Sequence, residues 1–266
     1  MTSLLTDAVI FSAVVIFIYM NLWFIISLIL DRNDVADFAW GLGFVVVIWA
    51  LFYKNTVVGI KNQLNFTILA VLTTIWGLRL AAHIYSRNKN KDEDYRYKKW
   101  REDWGKWFYI RSYFQVFIFQ GVLMLLISST AIISSVYNGS IGLISSIGML
   151  IWLVGFYFEV VGDYQLSRFI NKPENKGKIM TEGLWKYTRH PNYFGEVTLW
   201  WGIFLIGLIT PYNFLAIISP LTITILILKV SGIPMLEERY EDDPEFQKYK
   251  KVTSKFFPWF PKEKGV

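Results

Sequence analysis

Apolar runs of about 20 residues, the length of helix that crosses a bilayer core of roughly 30 Å, recur along this chain at 8–30, 36–53, 66–85, 113–136 and 141–162. A further stretch, 194–230, is too long for one such helix, and Thr210-Pro211-Tyr212-Asn213 supplies turn chemistry that divides it in two. The pattern predicts an all-α, polytopic membrane protein with seven transmembrane helices in one domain over residues 1–266. No internal repeat, low-complexity tract or soluble second domain interrupts it.

The polar connections orient these spans. With the N-terminus outside, 24 of the 27 Lys and Arg residues fall on the cytoplasmic side: Arg32, nine from Arg87 to Arg111, six from Arg168 to Arg189 and eight from Lys229 onward. Lys54 and Lys61 fall outside, and Arg79 lies within the third span. That asymmetry predicts a cytoplasmic C-terminus. The first run has no basic residue before it and is too long for a signal-peptide core, so it reads as a retained helix. Tyr97, Trp100, Trp104 and Trp107 recur at helical spacing among lysines and arginines, the pattern of an amphipathic helix lying in the headgroup zone.

Composition agrees: 54% of residues are hydrophobic, and the mean hydropathy is positive at +0.36, values that point away from a soluble domain. The net charge of +6 sits in the connections and tail, which suits orientation and anionic membrane lipid rather than nucleic acid. The absence of cysteine excludes disulfides, thiol catalysis and cysteine-ligated metal. Two distant histidines give no metal-site spacing. The expected location is a microbial cytoplasmic membrane, with oligomeric state left open.

Ionisable residues within or at the rims of spans are costly unless paired or facing water, so they mark candidate chemistry. Asp37 opens the second span, Arg79 and His83 share a face of the third with Tyr85 close by, Glu159 and Asp163 close the fifth, and Glu196 opens the sixth. In Gly183–Glu196, Arg189, His190, Asn192, Tyr193 and Glu196 crowd around Pro191. A cavity rimmed by Arg168, Lys172, Arg189 and His190 suits a phosphate or carboxylate, while Asp163, Asn192 and Glu196 suit ribose hydroxyls or an amide. Gly41-Leu42-Gly43 lies inside a span and lacks the third glycine, so no Rossmann domain is expected.

Six motifs carry a family resemblance: Asp37-Phe38-Ala39-Trp40-Gly41, Trp76-Gly77-Leu78-Arg79-Leu80, Glu93-Asp94-Tyr95-Arg96-Tyr97, Gly183-Leu184-Trp185 with Arg189 through Glu196, Ser231-Gly232-Ile233-Pro234, and Thr253 through Trp259. Together they resemble a microbial membrane family grouped with the steroid 5-alpha-reductases. The resemblance implies seven helices, NADPH bound in a cytoplasmic cavity within approximately 141–266, and reduction of a carbon–carbon double bond conjugated to a carbonyl in a lipophilic substrate. It also implies that Asp163, Arg168, Asn192 and Glu196 hold the cofactor. His83 and Arg87 fit the histidine and arginine of the animal enzymes, but Ile84 stands where those have a proton-donating tyrosine, with Tyr85 beside it. Tyr85, His83 and Asp37, in that order, are the candidates for the acid. A second resemblance competes. Membrane methyltransferases that use S-adenosylmethionine share an Arg-His-Pro-x-Tyr-x-Gly segment and a later Glu-Glu pair, present here as Arg189–Gly195 and Glu237-Glu238. A non-catalytic lipid-binding or scaffold protein is the third expectation.

Overall fold

A computed structural model describes residues 2–60, 64–89, 91–137, 141–208 and 211–262. Lys61 and Thr210 lie outside the described residues. Among those described, every regular element is helical, and six helical stretches are long and apolar enough to cross a membrane. This fits an integral membrane protein. The remaining candidate span, over the first half of 194–230, is a helix of only 17 residues. The chain divides into two compact units, residues 1–142 with 207–219, and residues 143–206 with 220–266.

In the first unit, α1 (Thr2–Leu30) and α2 (Val35–Val57) are joined at Asp31, whose positive φ of 49° ends α1. Helix α3 (Leu64–Asn88) packs on α2 at paired glycines: a Cβ on Gly41 would lie 2.8 Å from the Gly77 carbonyl oxygen, and one on Gly77 2.5 Å from that of Gly41. Phe44, Leu69 and Trp76 are buried in this unit. Helix α4 (Tyr95–Trp104) starts at Asp94, whose carboxylate accepts from the Arg96 N–H at 3.0 Å. Its predicted aromatic stripe is shorter than the spacing suggested. Tyr97, Trp100 and Trp104 contact in series, but Gly105, at φ 49°, breaks the helix, and Trp107 stands exposed beyond it. The following span runs on to Ile127 through α5 (Phe108–Ser112), a wide π turn at Tyr113–Ile118 and α6 (Phe119–Ile127). Ser128 then separates α7 (Ser129–Val136), so the apolar run at 113–136 does not form one helix.

At one end of this unit, charged residues from three segments pair. Arg32 bonds Asp34 at 2.8 Å, Arg101 reaches Asp31 at 2.8 Å, and the Asn33 N–H donates to Glu93 at 2.6 Å. Arg96 binds Asp37 at 2.7 Å and Asp94 at 3.0 Å. Burial would push the Asp94 carboxyl up, but hydrogen bonds from Arg96 outweigh it and hold the group below the ordinary carboxylate range.

The second unit is built on α8 (Leu143–Ile170) and α9 (Pro191–Gly207). Glycines recur every seven residues on both, as Gly148, Gly155 and Gly162 against Gly195 and Gly202. A Cβ on Gly155 would lie 2.6 Å from the Gly195 carbonyl oxygen, and one on Gly202 2.7 Å from that of Gly148. Small residues let two backbones approach where lipid offers no hydrophobic drive between helices. Helix α10 (Ile218–Ile225) and a π turn at Leu226–Val230 lead to α11 (Ile233–Glu238). The last helix, α12 (Pro244–Val252), is capped by Asp243, which accepts from the N–H groups of Glu245 and Phe246. The glycine contact predicts that Gly195→Ala costs about 1–3 kcal/mol, because the added methyl meets backbone that cannot turn aside. Gly142→Ala, where a methyl meets open space, should stay within about 0.5 kcal/mol of wild type. Thermal unfolding of both variants in detergent checks the pair.

Candidate functional site

The segment Gly183–His190 enters α9 from a short 3-10 turn at Gly183–Lys186. Gly183 has a φ of 61°, and Gln165 of α8 accepts the Leu184 N–H at 2.9 Å. Trp185 is buried and its indole N–H donates to the Gly162 carbonyl at 3.1 Å. These contacts fix the approach of Arg189 and His190, which are buried immediately before the first residue of α9. Pro191 suits that position because its missing N–H would have no partner in a first turn.

Arg189 is committed to the protein. Its Nε donates to Glu237 Oε1 at 2.8 Å, one terminal nitrogen donates to the carbonyls of Lys250 and Thr253 at 3.2 and 2.8 Å, and the other lies 3.4 Å from Glu237 Oε2. Four of the five N–H groups of a guanidinium are thereby used. Glu237, at the end of α11, also lies 2.8 Å from His190 Nε2. One carboxylate thus ties two neighbouring side chains, a pairing that ranges over 48 positions of sequence.

His190 is the unusual member. Burial holds its imidazole below the ordinary histidine range, outweighing the upward pull of Glu237, while Arg189 and Lys255 push in the same direction as burial. The neutral ring donates Nε2–H to Glu237 and presents Nδ1 as an acceptor. That Nδ1 is buried and has no hydrogen-bond partner within the protein. Tyr193 stacks on the same ring at 5.6 Å. Beside it opens a cavity of about 130 Å³, whose lining includes Trp185, His190, Glu237, Phe246, Tyr249 and Lys178. This is below the roughly 300–1,000 Å³ of pockets that enclose a drug-sized ligand, so it has room for one ring or one hydroxyl-bearing group. Tyr249 donates its hydroxyl to the Trp185 carbonyl, and burial pushes its pKa up.

Of the residues singled out from sequence, Arg189, His190 and Tyr193 come together here. Asn192 donates to Asp163 Oδ1 at 3.0 Å, which joins α9 to α8. Glu196 is half-buried one turn further along α9, and Arg168 is exposed near the end of α8. In the first unit, Asp37 accepts from Arg96 and from the Tyr97 hydroxyl, at 2.7 and 2.9 Å, so both its oxygens serve as acceptors. Ile84 is buried, His83 is half-buried, and Tyr85 is 57% exposed. Glu237, Tyr249 and Lys178 were absent from the candidates. The Glu237-Glu238 pair was the one signal for the first; the i, i+3 pair Phe246 and Tyr249 on α12 could have flagged the second. Among the described residues, no group of three His, Cys, Asp or Glu side chains is placed to hold a metal ion.

The fold and site define a helical membrane protein with a buried polar centre where helices end. Residues 23–253 match the family described as "Protein of unknown function (DUF1295)", and the chain belongs to that family. A Schizosaccharomyces pombe relative, named "Uncharacterized protein C594.04c", is 26% identical over 218 residues, which cover 72% of this chain and 62% of that protein. The chain therefore spans less than two thirds of that relative's length. No solved structure matches it.

Two predictions follow from the Arg189–Glu237–His190 centre. Glu237→Ala leaves a buried guanidinium without its counter-charge and should cost about 3–5 kcal/mol of stability, measured as thermal unfolding in detergent. The second concerns pH. The folded-state pKa of His190 is lowered, so the unfolded chain takes up its proton first, and the stability contributed by the neutral ring is present above about 6.5. It is lost as pH falls from there through the folded value. The wild-type thermal midpoint should decline on acidification below that point, and His190→Gln should decline less.

Proposed function

We propose that the protein is an integral membrane reductase that uses NADPH to reduce a carbon–carbon double bond conjugated to a carbonyl in a lipophilic substrate. The observation that carries this reading is the contrast between the cavity and its rim. Inside, Arg189 is neutralised by Glu237, and the walls are mostly aromatic and aliphatic and include His190, whose Nδ1 is a buried acceptor. Lys178 lines the cavity, and Arg168, Lys172 and Lys176 are exposed on the stretch of sequence that leads to it. A neutral ring or ribose hydroxyl suits the interior, and a polyanion suits the rim. S-adenosylmethionine brings one carboxylate to those cations and no phosphate, so it uses fewer of them than NADPH does.

The topology belongs to the same reading. Helix α9, at 17 residues, reaches about 25 Å and counts as the sixth of seven spans. The N-terminus lies outside and the C-terminus in the cytoplasm of a microbial membrane. In the site, His190, Asn192, Asp163, Tyr193 and Glu196 would meet hydroxyl and amide groups of the cofactor, and Arg168, Lys172 and Lys178 its phosphates. Arg189 shapes the floor, since its donors face protein acceptors. Bound NADPH supplies the hydride. The chain's own tasks are to orient the alkene, exclude water and protonate the developing enolate. On the resemblance, the candidates for the proton donor are Tyr85, His83 and Asp37, of which Asp37 also pairs with Arg96.

A second reading, methyl transfer from S-adenosylmethionine to a lipid amine or an isoprenylated cysteine, is favoured by one observation: Glu237 joins both members of the Arg-His pair, uniting the two parts of the methyltransferase motif. Calorimetric titration of the purified chain in detergent with each cofactor separates the readings. Saturable NADPH binding is expected, with Lys178→Glu weakening it by roughly tenfold or more at unchanged thermal midpoint. Tight S-adenosylmethionine binding with no response to NADPH would replace the reductase by the transferase, and no binding of either would leave a lipid-binding or scaffold role.

A further inference from the structure

After α12 the chain runs as a non-helical strap that is stitched to the entrance of α9. The Ser254 carbonyl accepts the Arg189 N–H at 2.9 Å, the Phe256 carbonyl accepts the Thr188 hydroxyl at 2.8 Å, and the Trp259 N–H donates to the Tyr187 carbonyl at 2.9 Å. Phe256 turns inward against Phe194 of α9, with ring centroids 5.7 Å apart. The strap therefore has one face fixed to the protein.

Its other face is unlike an ordinary surface. Phe257, Trp259 and Phe260 are 70%, 73% and 76% exposed, three large aromatic side chains within four residues and outside every candidate span; Phe257 touches Phe194 and Phe260 touches Tyr187 by ring edges, and most of each ring still faces outward. Scattered apolar residues on a surface need no account, but a cluster of this kind marks an interaction surface. The surrounding charge says what it meets. From Phe246 to Lys262 the sequence holds five lysines and no acidic residue; all five are exposed, and Lys255 and Lys262 flank the aromatic group. Exposed tryptophan and phenylalanine among lysines are the composition of segments that settle at the boundary of headgroups and acyl chains of anionic membranes.

Position agrees with composition. The strap is bonded to residues 187–189, directly before α9, and Arg189 is bonded to Glu237, in the last turn of the span Asn213–Glu238. It thus lies level with the ends of two apolar helical segments, where the headgroup zone of their bilayer falls. We propose that Phe257, Trp259 and Phe260 insert into the headgroup region of the bilayer that holds the protein, with the neighbouring lysines on anionic lipid. This anchors the strap and, through its three stitches, the segment carrying Arg189 and His190. The inference does not depend on which cofactor the site takes.

The cysteine-free chain allows a direct test. Trp259→Cys and Phe260→Cys, each made alone in the full chain and labelled with a nitroxide, are reconstituted in phosphatidylcholine vesicles with and without phosphatidylglycerol. Accessibility to oxygen and to a water-soluble nickel chelate gives the depth of each label, and a label on Glu245→Cys, an exposed position in the first turn of α12, serves as the aqueous reference. The expected result is a depth of about 5–10 Å below the phosphates at both positions, greater when anionic lipid is present. Labels as open to the nickel chelate as the reference would overturn the proposal. So would labels shielded from both reagents, since a second copy of the chain or another protein would then cover the strap.

Discussion

A guanidinium that leaves water must take its counter-charge with it, and Arg189 shows how much structure that requirement organises. Only about 5% of this residue is exposed. An uncompensated charge there would be worth several kcal/mol against folding, so the chain cannot place Arg189 without also placing Glu237. That single pairing locates the end of α11 against the start of α9. The two remaining acceptors, the carbonyls of Lys250 and Thr253, then locate the end of α12. The same demand shapes the other unit, where Arg96 draws Asp37 of α2 and Asp94 of the preceding connection to one guanidinium. In both cases the charges lie where helices end, and the pairs join segments that the apolar interior cannot register by itself.

Helix packing supplies the register that charges do not. The reciprocal contacts of Gly148 with Gly202 and of Gly155 with Gly195 hold α8 and α9 at backbone distance. Continued by one more heptad, the same row reaches Gly162, where a Cβ would lie 3.1 Å from the Asn192 N–H nitrogen. This closeness is what lets the short side chains of Asp163 and Asn192 meet at 3.0 Å. A bulkier residue in the row would separate the helices and the polar pair together. The glycines thus act at the site without touching a ligand.

Much of this is legible in the sequence. The helical class, the main apolar spans and the crowding of polar residues around Pro191 all follow from composition and spacing, because hydrophobic length and local residue type are properties of contiguous sequence. What was not legible is mostly partnership. Arg189 read as a free cation fit for phosphate, while its actual acceptors lie 48 to 64 positions away, and no local pattern names them. Asp37 reads as a candidate acid, and its bonds to Arg96 and Tyr97, some 60 positions on, are not visible in local sequence. The stripe ending at Trp107 failed for a local reason: Gly105 takes a left-handed φ, and spacing alone does not reveal that a permitted break is used.

The unpartnered nitrogen of His190 shows where this logic of satisfied charges stops. Everything around it is paired: Nε2 has Glu237, Glu237 has Arg189, and Arg189 has two carbonyls. A buried acceptor without a donor costs about 1–3 kcal/mol, an expense that an apolar side chain of similar size would avoid. This acceptor belongs to a ring that lines a cavity with Trp185, Phe246 and Tyr249, and it shares the lack of a partner with other buried atoms such as Trp152 Nε1 and Ser129 Oγ. A hydroxyl or N–H brought to that nitrogen would recover the cost. Since burial also keeps the ring neutral, the acceptor is available at neutral pH without a proton first having to leave. A group that occupies the centre has to bring that nitrogen a donor, because the chain itself supplies none.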